Sequence, residues 1–171
     1  FERPGLPYIL AFIILYSYGD AVINQMLNPF LMEIGFTKPE IADITKVFGA
    51  LSTTLGGFLG GYYAVRYSIF RALLIGGVAH SFAHLMLVAQ AFEGYNPTLL
   101  YFVIATEKFT GGFAVSIFIV YLSKQCNILH TATQYALFSS VWSLSTQLAS
   151  ISGRIADHLN NWTIYFTLSF I

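Results

Sequence analysis

The sequence predicts an all-α, polytopic membrane helix bundle, and three observations lead to that fold class. Only 16 of the 171 residues are charged, 8 Lys+Arg and 8 Asp+Glu, whereas soluble domains carry roughly 25% charged residues. Hydrophobic residues make up 56% of the chain, and its mean hydropathy is +0.67. The apolar residues also form runs of about 20, the length that a helix needs to cross a bilayer. This composition excludes a soluble globular domain and a disordered chain.

Charge and cysteine content exclude two further classes. The formal net charge is zero, so the chain has no basic field that would hold nucleic acid. A single cysteine, Cys126, excludes a disulfide-stabilised scaffold. The sequence begins at Phe1 and ends at Ile171 inside an apolar run. We therefore expect a piece of a longer chain.

Apolar runs bounded by proline, glycine and charge predict five spans and the start of a sixth. Pro29 should kink or end the first span, and Pro39 is a suitable first-turn residue for the second. We expect the spans at about residues 6–30, 39–63, 70–91, 99–121 and 133–153, with a sixth from 162 that is truncated at 171.

Basic residues predict the orientation, because cytoplasmic loops retain Lys and Arg. Arg3, Arg66, Arg71 and Lys124 fall on one side of the predicted spans, and Lys38 stands nearly alone on the other. We expect the N-terminus of this chain to be cytoplasmic.

Four charged residues lie inside predicted spans: Asp20, Lys46, Glu107 and Lys108. Each would cost about 2.5–3.5 kcal/mol at the centre of a lone helix, so they should face water or one another. Their depths are similar and their charges sum to zero. We expect a mutually neutralising cluster that lines a polar cavity, although a static salt bridge would explain the same pattern.

Two stripes of polar residues support the cavity, because they recur at steps of three and four on single helix faces. In lipid, such faces must point inward. They serve either solute contact or interhelical hydrogen bonding. The stripes are Ser17, Asp20, Asn24 and Asn28 in the first span and Ser139, Ser143, Gln147, Ser150 and Arg154 in the fifth.

Small residues follow the same steps in the second span and recur in the fourth at Gly111 and Gly112. Such faces allow close backbone contact between helices and also allow helices to tilt. The residues of the second span are Gly49, Ser52, Thr53, Gly56, Gly57, Gly60 and Gly61.

His80 and His84 form an i,i+4 pair that has three possible roles: zinc binding, proton handling or packing. No third metal ligand is evident near them in the sequence, and we predict no metal and no cofactor. Nucleophile and phosphate-loop motifs are also lacking. We expect no enzyme, although a membrane-embedded enzyme that uses the two histidines and Glu107 is the rival hypothesis.

The segment between the second and third spans, Gly61 to Arg71, resembles the loop motif Gly-x-x-x-Asp-Arg-x-Gly-Arg of major facilitator transporters. Gly61 and Arg66 match this motif, and Arg71 stands near its last basic position. Two more specific runs resemble the C-terminal half of AmpG-type muropeptide permeases. These runs are Phe70-Arg71-Ala72-Leu73-Leu74 and Ala132-Thr133-Gln134-Tyr135-Ala136-Leu137.

The resemblance implies helices seven to eleven, and the start of twelve, of a twelve-helix carrier. It further implies proton-driven import of anhydro-muropeptides across a bacterial inner membrane for peptidoglycan recycling. The implied partners are a sugar-peptide solute, the proton, the lipid bilayer and a missing N-terminal half of the carrier. Another solute, as in the related acetyl-CoA transporters, or a non-transporting fragment are the alternatives.

A mechanism follows as a hypothesis. Asp20 and Glu107 would alternate between pairing with Lys46 or Lys108 and carrying a proton. Asn24, Asn28, Ser143 and Gln147 would bind the solute, and the loop with Gly61, Arg66 and Arg71 would gate access. Tyr16 and Trp142 would either stack on sugar rings or serve in packing.

Overall fold

A computed structural model of the chain describes residues 5–127, 130–150 and 162. Nearly all of these residues are helical, and no strand occurs among them. The helices are α1 (Leu6–Glu33), α2 (Lys38–Ile44), α3 (Ala50–Arg66), α4 (Ile69–Glu93), α5 (Pro97–Gln125) and α6 (Thr131–Ala149); a π-helical turn, Thr45–Gly49, joins α2 to α3. The predicted all-α membrane bundle is confirmed, since α1, α4 and α5 are each long and apolar enough to cross a membrane.

Local chemistry sets several helix ends. The Asn96 side chain caps α5 by accepting a hydrogen bond from the Leu99 amide at 3.2 Å. Pro97 is the first residue of the helix, a position that suits proline because a backbone N–H there would have no partner within the helix. Gly35 and Gly94 adopt φ values of +107° and +70°, which glycine tolerates best, and they turn the chain after α1 and α4. Helix α1 continues through Pro29 to Glu33.

The remaining predicted spans correspond to helices whose membrane crossing stays a prediction. Residues 39–63 lie in α2, the π-helical turn and α3, and residues 133–149 lie in α6. Of the predicted sixth span, the structure describes Trp162 alone, whose ring lies 5.3 Å from that of Phe30. Residues 151–153 and Arg154 lie outside the described residues.

Helix α5 packs along both α3 and α4, and α1 packs along α6. Tyr16 links α1 to the group formed by α3, α4 and α5, because its ring stacks on Phe118 of α5 with centroids 5.1 Å apart. Trp142 of α6 packs edge-on against the same phenylalanine at 5.5 Å. These contacts give both aromatic residues a place in the packing.

Two apolar cores lie at opposite ends of the bundle. One contains Ile13 of α1, Leu73 of α4 and Ile117 of α5; the other contains Phe30, Leu87 and Leu100 from the same three helices. Five of the six buried polar residues in the described part of the chain fall between the members of these cores: Ser17, His80, His84, Glu107 and Ser145. The sixth, Gln90, lies beyond Leu87 near the end of α4, where its Nε2 donates to the Gly94 carbonyl oxygen at 2.8 Å.

The α3–α5 interface depends on glycine, as the small-residue pattern predicts. A Cβ atom added at Gly56 would overlap the carbonyl oxygen of Phe109, and one at Gly60 would overlap that of Phe113. Gly112 of α5 faces the Thr53 carbonyl in the same way. The two backbones therefore touch directly, which fixes the rotation of α5 and hence where its charged residues point.

At the end of the bundle where α1 terminates, a hydrogen bond and a ring contact connect the start of α2 with the α4–α5 loop. Tyr95, between α4 and α5, donates a hydrogen bond to Glu40 Oε1 at 2.9 Å, and its ring packs 4.6 Å from that of Phe36. The hydrogen bond to the carboxylate raises the pKa of Tyr95. The start of α2 is thereby attached to the α4–α5 loop.

We expect Gly56→Ala to destabilise the protein by about 1–3 kcal/mol or more, because the added methyl group overlaps backbone that cannot rotate away. The measurement is unfolding in nanodiscs or mild detergent. Gly61→Ala is the matched control, since no atom lies within 4 Å of the added Cβ at Gly61. Equal stability of the two variants would contradict the direct α3–α5 contact.

Candidate transport site

The polar layer between the two apolar cores brings together side chains from α1, α4 and α5 near the middle of the bundle. We use the name polar layer for Asp20, Asn24, His80, His84, Glu107, Lys108 and Thr110. Of the four charges predicted to cluster, the structure connects three: Asp20, Glu107 and Lys108. Lys108 contacts Glu107 directly, and Asn24 bridges Lys108 and Asp20.

Asp20 and His80 form the centre of the polar layer. His80 Nε2 lies 2.9 Å from Asp20 Oδ1, which bridges α1 and α4. The other ring nitrogen, Nδ1, lies 3.0 Å from Thr110 Oγ1 on α5. His80 is 7% exposed, so a single buried imidazole connects three helices.

A second chain of contacts runs from Asp20 to Glu107. Asn24 donates to Asp20 Oδ1 at 2.7 Å and accepts from Lys108 Nζ at 3.1 Å. Lys108 Nζ also lies 3.0 Å from Glu107 Oε2. That oxygen has no hydrogen bond of good geometry in the described structure, so the Glu107–Lys108 contact is an ion pair alone. Glu107 is 2% exposed, and Lys108 is its compensating charge.

His84 packs beside these residues but forms no hydrogen bond with them in the described structure. Its ring packs edge-on against that of His80 at 4.5 Å, and its buried Nε2 has no hydrogen-bond partner among the described residues. An unsatisfied buried nitrogen is costly in an apolar setting. His84 therefore keeps one ring nitrogen open to a further partner.

Asp20, His80 and His84 could supply three donor atoms to a metal ion, since these atoms lie within 4.8 Å of one another. This corrects the expectation that no third ligand stands near the histidine pair; Asp20 comes from another helix, so sequence proximity could not reveal it. Two imidazoles and a carboxylate are a set that zinc accepts. Here, however, Asp20 and His80 already satisfy each other by a hydrogen bond at 2.9 Å.

A pair of hydroxyl groups fastens α6 to α1 beside the polar layer. Ser17 and Ser145 are both buried, and their Oγ atoms lie 2.7 Å apart. The stripe on α1 thus has two uses: Ser17 faces α6, whereas Asp20 and Asn24 face α4 and α5.

The other predicted site residues lie outside the connected layer. Lys46, on the π-helical turn, is exposed, and the structure gives it no ion pair or hydrogen bond within the ranges described. Four of the predicted site residues are exposed and form no hydrogen bond or ion pair with the described residues of the polar layer: Lys46, Asn28, Ser143 and Gln147. Gly61, Arg66 and Arg71 lie around the α3–α4 connection, and both arginines are exposed.

Sequence reasoning missed one member of the layer, Thr110, and one pairing, that of Asp20 with His80. Thr110 carries no charge and is one of several hydroxyls in its helix, so nothing distinguished it. The partnership of Asp20 with His80 had one available signal: both stand near the middle of their predicted spans, as do Glu107 and Lys108.

We expect Lys108→Met to destabilise the protein because it leaves the Glu107 carboxylate buried and unpaired. The loss should stay below the figure of about 3–5 kcal/mol for a fully buried pair, because the Lys108 side chain is 23% exposed. Adding Glu107→Gln should recover most of that loss, and Lys46→Met should change the free energy of unfolding by less than about 0.5 kcal/mol. Unfolding in nanodiscs provides the measurement. A Lys108→Met variant as stable as Lys46→Met would show that the pair contributes nothing.

Comparison with known proteins gives relatives of one kind. The chain is 35% identical over 164 residues, 95% of its length, to the Rickettsia bellii protein named "Putative transporter AmpG 1". It is 38% identical over 166 residues to "Putative transporter AmpG 3" of Rickettsia prowazekii and 32% identical over 171 residues to "Putative transporter AmpG 4" of Rickettsia conorii, covering 96% and 100% of this chain. No protein-family model matches the sequence.

These matches cover only part of each relative. The chain spans 40%, 39% and 41% of the three proteins, or about two fifths of their length. This share agrees with the predicted likeness to one half of a carrier. The chain is therefore an AmpG-like sequence along its whole length, and it corresponds to a C-terminal part of an AmpG-type transporter.

Proposed function

We propose that this chain forms part of a secondary-active carrier that imports anhydro-muropeptides, coupled to protons, across a bacterial inner membrane. The observation that carries the proposal is the connected polar layer, held between two apolar cores in helices that are apolar enough to cross a membrane. Ionisable residues in such positions mark solute or ion pathways. The transporter names of the relatives favour transport over a membrane-embedded enzyme.

Exposed polar residues on α1 indicate what the chain requires around it. Asn24 and Asn28 are exposed, and an amide facing hydrocarbon would lose its hydrogen bonds. We infer that this face borders a water-filled cavity shared with the N-terminal half of the same carrier, and that solute binds between the halves. Asn24, Asn28, Ser143 and Gln147 would offer amides and hydroxyls to a sugar-peptide.

Proton coupling would use Asp20 and Glu107. In the arrangement seen here, Glu107 is paired with Lys108, and Asp20 reaches the same ammonium through Asn24. Of the four charges predicted to cluster, Lys46 is the one without an ion pair to another described residue; it lies on a π-helical turn, a feature common at functional sites. Motion of that turn would bring Lys46 toward the carboxylates in another state of the cycle.

Gating would involve the α3–α4 connection, with Gly61, Arg66 and Arg71, on the cytoplasmic side together with the N-terminus. Both arginines are exposed and therefore free to contact the other half of the carrier or lipid headgroups. A different solute, as in acetyl-CoA-transporter-like carriers, or a fragment without transport activity are the competing interpretations.

The test is uptake of a labelled anhydro-muropeptide into proteoliposomes that contain the complete carrier with these residues. We expect Asp20→Asn and Glu107→Gln to lower proton-gradient-driven uptake by about tenfold, the equivalent of one lost charge-assisted hydrogen bond. Solute exchange without a gradient should be less affected, because it does not require net proton movement.

Asp43→Asn is the matched control, because Asp43 is an exposed acid on α2 outside the polar layer. Its uptake should stay within about twofold of the unmodified carrier. Unchanged coupling in both Asp20→Asn and Glu107→Gln would refute proton transfer at these carboxylates. Uptake that ignores the proton gradient altogether would refute the coupling itself.

A further inference from the structure

We propose that Asp20 and His80 form a single proton-binding unit, and that the Thr110 hydroxyl switches its hydrogen bond when the unit gains or loses its proton. This inference rests on the proposed proton coupling and assigns it to a specific pair. The hydrogen-bond geometry around the His80 ring carries it.

The Thr110 hydroxyl has one hydrogen and two possible recipients in its own helix. Its Oγ1 lies 2.9 Å from the Thr106 carbonyl oxygen and 3.2 Å from that of Glu107. Carbonyl oxygens only accept, so the hydroxyl can donate its hydrogen to the helix backbone, and Thr110 Oγ1 then accepts from His80 Nδ1, 3.0 Å away. Turned the other way, the same hydroxyl donates to Nδ1. In the first arrangement the His80 ring carries a hydrogen on Nδ1, and in the second it does not.

The first arrangement implies a definite proton count for the pair. With Nδ1 protonated, a neutral ring has no hydrogen on Nε2. That nitrogen and Asp20 Oδ1, 2.9 Å apart, would then face each other with their lone pairs and no hydrogen between them. One further proton must lie between them, either on Nε2 as imidazolium or on Asp20 as carboxylic acid. This first arrangement is the loaded unit, whichever atom holds the proton.

Unloading requires only a hydroxyl rotation. When the proton leaves to water, the Thr110 hydroxyl turns to donate to Nδ1, and the ring keeps its remaining hydrogen on Nε2, donating to the Asp20 carboxylate. All the heavy atoms stay within hydrogen-bond distance in both states. The pair can therefore exchange a proton without being pulled apart, and nothing besides the proton enters or leaves.

The groups that face this pair come from several elements. Tyr16 is on α1, His84 on α4, and Glu107 and Lys108 are on α5, while the π-helical turn packed on α5 carries Lys46. The α6 residue that approaches α1 here, Ser145, binds Ser17 and does not titrate near neutral pH. Lys108 is the nearest cation in the hydrogen-bonded chain, and Asn24 is the link.

Asn24 gives the unit a route to the solute. Its exposed amide joins Asp20 to Lys108, so a solute that takes over this amide would break the link between the ammonium and the proton-binding pair. Binding of solute and binding of the proton would then influence each other at one side chain.

The test is nitrogen NMR of the ¹⁵N-histidine-labelled chain in nanodiscs across pH, with the His80 signals assigned by their loss in His80→Gln. We expect Asp20→Asn to move the His80 titration midpoint by about one pH unit or more. Thr110→Val should also move it, because the partner of Nδ1 is removed, whereas Thr110→Ser should leave it in place. Asp43→Asn is the control that should have no effect.

A His80 titration that ignores both Asp20→Asn and Thr110→Val would overturn the proposal. So would one equivalent of a transition metal in the purified chain that disappears in His84→Gln, because the pair would then serve an ion. This readout needs no solute and no transport. If the His80 titration does not respond to the variants while proton-coupled uptake is intact, this inference fails and the proposed function stands. If the titration responds as expected but no uptake occurs, the inference stands and the proposed function fails.

Discussion

The fold depends on one constraint: within apolar helices, a charged or hydrogen-bonding side chain needs a partner in the protein or in water, because lipid offers none. The centre of α1 carries Asp20, and the structure meets its needs with His80 and Asn24. The Asp20–His80 contact crosses from α1 to α4, and Asn24, which donates to Asp20 within α1, accepts from Lys108 of α5. The contacts that satisfy the carboxylate therefore also hold α1 against α4 and α5. The apolar cores on either side add packing, but they do not specify which helix faces which.

Helix α5 provides the reference for this layer. Its backbone lies directly on α3 through Gly56, Gly60 and Gly112, which leaves little freedom for rotation. Glu107 and Lys108 are consequently presented at a fixed angle, the first buried and the second reaching Asn24. A helix pair held by larger side chains could rotate by repacking. One held by backbone contact moves as a unit, and such rigid units are what alternating access requires.

Much of this arrangement could be predicted from the sequence, for physical reasons. Length and hydropathy define membrane helices because the bilayer leaves few alternatives, and the steps of three and four identified both the polar stripes and the glycine face. Periodicity assigns residues to a face but does not say which neighbour that face meets. Ser17 and Asp20 share a stripe, yet they face different helices. The depth of Lys46 in its predicted span groups it with the layer, but Lys46 lies on the π-helical turn, outside the connected contacts.

The central claim is that the polar layer opens to water and not to lipid, and thiol reactivity tests it most directly. In a Cys126→Ser background, Asn24→Cys and Leu15→Cys place thiols on exposed positions of α1 at equal distances from its two ends. A charged methanethiosulfonate reacts with thiolate, which forms only in contact with water. The account predicts that the thiol at position 24 reacts at least about tenfold faster than the one at position 15. Equal, slow reaction at both positions would contradict it.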